Sequence, residues 1–111
     1  MNSDHQVKLW TGFEDGQRRE VLLCASPQKT FYFRLRNEDQ ISEIAVKPSE
    51  LHRILAGETG LFFENSTCSV SIHVEQGEAT FSFVGTCLVS FPIQLNKLGL
   101  LLRSIGLDAP H

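Results

Sequence analysis

The chain lacks most of the signatures that reveal an activity at sight. No apolar run is long enough to cross a bilayer as a helix. The N-terminal MNSDHQVKLW has no basic stretch followed by an apolar one, so an intracellular protein with no membrane partner is the expectation. Cysteine is scarce. Cys24, Cys68 and Cys87 are odd in number, far apart and without a C-x-x-C, and read as small buried hydrophobes. His5, His52, His73 and His111 are scattered, with no H-E-x-x-H pair and no zinc spacing to cysteine. No glycine-rich segment resembles a phosphate loop or a dinucleotide fingerprint, and no nucleophile elbow surrounds Ser90. The expectation is a protein with no catalytic residues, no metal and no cofactor. Without a leader, the Asn65-Ser66-Thr67 sequon reads as accidental.

Excess positive charge is also missing. The formal net charge is −3, which argues against a protein that lives by phosphate contacts. The imbalance is local. Residues 1–57 carry eight Lys/Arg and eight Asp/Glu, whereas 58–111 carry two against five. A neutral half still presents a basic face if its acids sit in turns, as Glu14-Asp15-Gly16 and Asn37-Glu38-Asp39 suggest.

What is present is alternation. At 111 residues, 41 % hydrophobic and with eight Phe, the chain suits one domain, 1–111, with a modest core. Period-2 patterning predicts strands over Gln6–Trp10, Arg18–Ala25, Lys29–Arg36 and Ile41–Val46. The period then changes. Leu51, Ile54 and Leu55 predict a short helix over Ser49–Ala56, started by Pro48 and closed by Gly57 and Gly60. Strands follow over Leu61–Glu64, Ser69–Glu75, Ala79–Val84 and Cys87–Phe91, then a final helix marked by Leu95, Leu98, Leu102 and Ile105.

The order is four strands and a helix, twice. Pro48-Ser49-Glu50-Leu51-His52-Arg53-Ile54 aligns with Pro92-Ile93-Gln94-Leu95-Asn96-Lys97-Leu98, 44 residues later. The fold class read from this is α+β: a duplicated ββββα unit, halves about 5–57 and 60–106, with antiparallel sheets and helices packed to one side. The final helix has a wide apolar stripe. Leu98, Leu101, Leu102 and Ile105 read as an oligomer interface, with Gly99 permitting close backbone approach; the alternative is a helix buried deeply within the monomer.

The candidate binding face lies on the first-half strands. Alternation puts Lys8 with Trp10, and Tyr32 with Arg34 and Arg36, opposite the Phe31/Phe33 side. Arg19 and Lys47 are candidates to join through neighbouring strands, with the face of each left open by the alternation. Cations track phosphates while flat aromatics stack on bases, so this set suits single-stranded nucleic acid. The competing reading of the same residues is a solvated sheet face whose arginines pair across strands, for example with Glu20 or Glu43. The second-half outer face, Ser69, Ser71, His73, Thr80 and Ser82, is polar but uncharged.

The element order resembles the Whirly family of single-stranded DNA-binding proteins, and related kinetoplastid RNA-binding, PC4 and PUR folds. Lys47-Pro48-Ser49-Glu50-Leu51 is similar to a Whirly helix entry. Leu61-Phe62-Phe63-Glu64 is similar to the strand after it, and Val89-Ser90-Phe91-Pro92-Ile93 to the final strand. The plant Lys-Gly-Lys-Ala-Ala-Leu assembly motif has no counterpart. The resemblance implies a homo-oligomer, dimer or tetramer, assembled by the last helix, with Trp10, Tyr32, Arg34 and Arg36 near the path of a DNA or RNA strand. The expectation is therefore a non-enzymatic, low-specificity single-stranded DNA/RNA-binding protein. The alternative is a protein-interaction or assembly module, which rests on the acidic balance, the leucine-rich helix and strand edges open to a partner.

Overall fold

The computed structural model describes residues 5–28 and 30–107. The first antiparallel sheet runs β1 (His5–Glu14), β2 (Gln17–Ala25), β3 (Phe31–Asn37), β4 (Gln40–Val46), in that spatial order. Helix α1 (Pro48–Leu55) follows. The second sheet runs β5 (Leu61–Glu64), β6 (Ser69–Glu75), β7 (Glu78–Val84), β8 (Leu88–Gln94), and α2 (Leu95–Ser104) closes the chain. The ββββα layout therefore occurs twice, in an α+β fold. None of the described helices is long and apolar enough to cross a membrane.

Local chemistry explains the connections. Asp15-Gly16 and Gln76-Gly77 both take positive φ, which gives the tight hairpin turns whose twist matches that of the strands. At α1, Pro48 occupies the first turn and the Glu50 carboxylate accepts the Lys47 N–H at 3.2 Å. Burial alternates as the pleat requires. Phe31, Phe33 and Leu35 are buried on β3, and Ala79, Phe81 and Phe83 on β7.

The two inner faces share one hydrophobic cluster. Phe33 of the first sheet meets Phe81 and Phe83 of the second edge-on, with ring centroids 5.9 and 5.5 Å apart. Phe81 and Phe91 stack at 5.5 Å. Leu51 and Ile54 of α1 and Leu98 and Leu102 of α2 complete the cluster.

Four expectations change. The predicted internal alignment slips: Pro48 opens α1, but Pro92 lies inside β8 and α2 starts at Leu95. Pro92 is tolerated because β8 is an edge strand, where one missing N–H breaks no ladder. The final strand therefore runs on to Gln94 instead of ending at Phe91. The apolar stripe of α2 is used within the chain: Leu98, Leu102 and Ile105 are 1 %, 0 % and 6 % exposed. Leu101 is half-buried against the same core, and only Leu100 stands out on α2. The stripe expected to hold subunits together is the helix's own attachment to its sheet. The third predicted strand began at Lys29, which lies outside the described residues; β3 begins at Phe31.

Strand edges are blunted rather than open. On β1, the register shifts between Lys8 and Trp10, a bulge at Leu9. On β4, the Asn65 amide donates to the Glu43 carbonyl at 2.7 Å. The same side chain's oxygen accepts the Thr67 and Cys68 N–H groups. The sequon asparagine is thus a turn residue that ties the segment after β5 to the first sheet. β5 is four residues long, and β8 carries Pro92.

Candidate functional surfaces

Each sheet has one face turned away from the core. On the first sheet, register places Lys8, Leu22, Arg34 and Glu43 in one row across the four strands. Glu20, Arg36 and Ile41 form the next row, and Cys24, Tyr32 and Ala45 another. Lys8, Tyr32, Arg34 and Arg36 therefore do converge on one surface.

Their charges are matched there. Glu20, a buried side chain, takes both Lys8 at 3.5 Å and Arg36 at 3.3 Å. Arg34 Nε donates to Glu43 at 2.7 Å, and this hydrogen bond is the main cause that raises the Arg34 pKa above its ordinary value. The Arg34 guanidinium also lies 5.6 Å from the Tyr32 ring centroid and donates to the Tyr32 hydroxyl at 3.3 Å. The aromatic face that would stack a base is thus covered by an arginine already paired with a carboxylate.

The other three predicted site residues lie elsewhere. The bulge at Leu9 reverses the alternation, so Trp10 turns away from Lys8 and pairs with the buried Val21. Its ring stacks on Phe91 of the opposite sheet, 6.1 Å between centroids and 11° between planes. Gly12 makes room for it: a Cβ there would lie 2.6 Å from the indole ring. Arg19 shares the inward parity of Val21, where it bonds Glu14 at 2.7 Å and the Asn37 side chain at 3.3 Å. Lys47 stands past the end of β4, as the N-cap of α1.

The second sheet's outer face differs in kind. Its rows are Phe62, Ser71, Ser82, Ser90; Glu64, Ser69, Val84, Leu88; His73, Thr80, Pro92; and Glu75, Glu78, Gln94. No Lys or Arg occurs in them. Phe62, Val84 and Leu88 are 58 %, 52 % and 69 % exposed. Sequence reasoning placed the hydroxyls on this face and read it as uncharged, missing its apolar members and the carboxylates of Glu64, Glu75 and Glu78. The signal was available: with Leu61 and Phe63 turned inward, alternation leaves Phe62 outside. Glu64 and Glu78 make no ion pair among the described residues, and Glu75 meets only the His73 ring at 3.3 Å.

Among the described residues, one relay of nucleophile type is found, at this face's margin. The Thr59 hydroxyl is 3.0 Å from His73 Nδ1, and Thr59 Oγ1 accepts the Val74 N–H at 3.0 Å. Thr59 thereby satisfies a β6 amide just beyond the start of β5. The relay is exposed. No group of three or more metal-capable side chains occurs among the described residues.

Comparison of the chain with family models, curated proteins and solved structures returns no match. The functional reading accordingly rests on these two surfaces.

Proposed function

We propose that the protein is a non-catalytic protein-interaction module that docks its partner on the outer face of the second sheet. The observation that carries this reading is the exposure of Phe62, Val84 and Leu88 on a flat face without a cation. Large apolar side chains exposed beside small polar ones favour contact with another protein surface. The blunted edges argue against docking by strand addition. Partner contact is therefore through the face.

A second reading keeps the Whirly/PC4-like expectation: single-stranded nucleic acid on the outer face of the first sheet. One observation favours it. Lys8 and Arg36 share a single carboxylate, Glu20, so that triad keeps one positive charge in surplus. The Lys8 and Arg36 ends of these pairs are half-exposed although Glu20 is buried, and solvent screens them to about 1 kcal/mol each, so a phosphate competes at modest cost. The covered Tyr32 ring, the inward Trp10 and the Arg34–Glu43 pair weigh against it.

Photo-crosslinking separates the readings. A benzophenone amino acid at position 62 should give a discrete protein adduct, lost when Leu88 is changed to Glu. The same probe at position 32 should give no nuclease-sensitive adduct. A nuclease-sensitive adduct from 32, with none from 62, contradicts the proposal and supports the second reading.

A further inference from the structure

The docking face carries a charge pattern that specifies its occupant, an inference that rests on the reading just proposed. Glu75 and Glu78 are directly opposed across the β6–β7 hairpin. Like charges placed so repel each other; Glu78 makes no ion pair among the described residues, and Glu75 meets the His73 ring. Glu64 marks the other end of the face, in the row of Val84 and Leu88. Between Phe62 on β5 and Val84 on β7 lie only the short side chains of Ser69, Ser71 and Ser82. Two strand spacings, about 10 Å, separate Phe62 from Val84 across these short side chains. The strip has apolar flanks, a hydroxyl centre and acidic ends.

The area limits the occupant further. Three strands of seven residues and one of four project onto roughly 400 Å². A stable complex of two folded proteins takes about 800 Å² from each partner. A second copy of this chain docked face to face would also oppose the same glutamates. We infer that the face receives a short, extended, basic segment of another protein. Its apolar side chains lie between Phe62 and Val84/Leu88, and its Arg or Lys residues reach Glu75 and Glu78. The Val84 row and the Glu75 row are three steps of two residues apart, about 20 Å. The segment's apolar and basic side chains are therefore separated by four to six residues, with alternate side chains facing the sheet.

The test is calorimetric titration with a seven-residue peptide carrying Leu at positions 1 and 3, Arg at 5 and 7, and Ser elsewhere. Comparison peptides replace Arg by Glu or Leu by Ser. The Arg/Leu peptide should bind at least about tenfold more tightly than either. Phe62→Ser with Leu88→Ser should weaken it about tenfold. Glu75→Gln with Glu78→Gln should erase the preference for Arg over Glu, and circular dichroism should show both variants folded. These surface changes leave the core intact, so a loss of binding reads on the face. Equal binding of the Arg and Glu peptides, sensitive to Phe62 and Leu88, overturns the basic partner while the docking face stands. Failure of every peptide also overturns it, and the position-62 crosslink then decides whether the interaction reading falls as well.

Discussion

Replacing Glu20 and Glu43 by glutamine tests whether carboxylates mask the cations of the first sheet. The two changes release Lys8, Arg34 and Arg36 together. Stability should fall little. The Lys8 and Arg36 side chains are 45 % and 49 % exposed, so solvent already screens their pairs with Glu20. Glutamine keeps the volume and an acceptor oxygen, and a loss of about 2 kcal/mol or less is expected. The gain should appear in nucleic-acid binding. Three freed cations on a single strand give a log–log salt slope near −2, equivalent to about a twentyfold fall in affinity between 50 and 200 mM salt. Fluorescence anisotropy with labelled oligo-dT at 50 mM salt reads this directly. The double variant should bind at least about tenfold more tightly than the parent and show that slope. A parent that binds as tightly, with the same slope, would refute the masking argument.

Other consequences follow from single contacts. Gly12→Ala forces a Cβ against the Trp10 ring, and about 1–3 kcal/mol of stability should be lost in urea unfolding followed by Trp10 fluorescence; an unchanged midpoint contradicts the packing described. Pro92→Val restores an N–H on the outer edge of β8 and should promote self-association in light scattering, whereas a variant as monodisperse as the parent would show that proline does not guard that edge. The Glu58 carboxyl should titrate below the ordinary glutamate value, because Arg53 donates it two hydrogen bonds. Its small stabilising contribution is present above that ordinary value and is lost as pH falls through the lowered one. Arg53→Gln should raise the Glu58 midpoint in an NMR titration, and no change would remove the pairing as its cause. Burial raises the Cys68 thiol pKa, so native alkylation at Cys68 should be slow near neutral pH and complete in denaturant; fast native labelling would place Cys68 at the surface.

The element order was legible because period-2 and helical spacing are local signals. Phe31-Tyr32-Phe33-Arg34-Leu35 alternates without interruption, and its burial follows that alternation. The β1 bulge was not legible. Val7-Lys8-Leu9-Trp10 alternates as cleanly, yet one extra residue at Leu9 sends Trp10 to the core. That side chain is fixed by Phe91, far away in sequence, and by the space at Gly12. The α2 stripe misled for a related reason. A width that reads as a surface for assembly is consumed when α2 meets both its sheet and α1, whose Leu55 lies 3.8 Å from where a Gly99 Cβ would sit. The arginine pairing was visible only as composition. Register alone decides that Arg34 faces Glu43 and Arg36 faces Glu20.

Backbone amide chemical shifts of the labelled protein, recorded with the Arg/Leu peptide and separately with oligo-dT, test the central claim most directly. The account predicts peptide-dependent shifts confined to β5–β8, around Phe62, Ser71, Ser82 and Leu88, and none from oligo-dT at moderate salt. Shifts from oligo-dT across β2–β4, around Glu20, Tyr32, Arg34 and Arg36, with β5–β8 silent to the peptide, would contradict it.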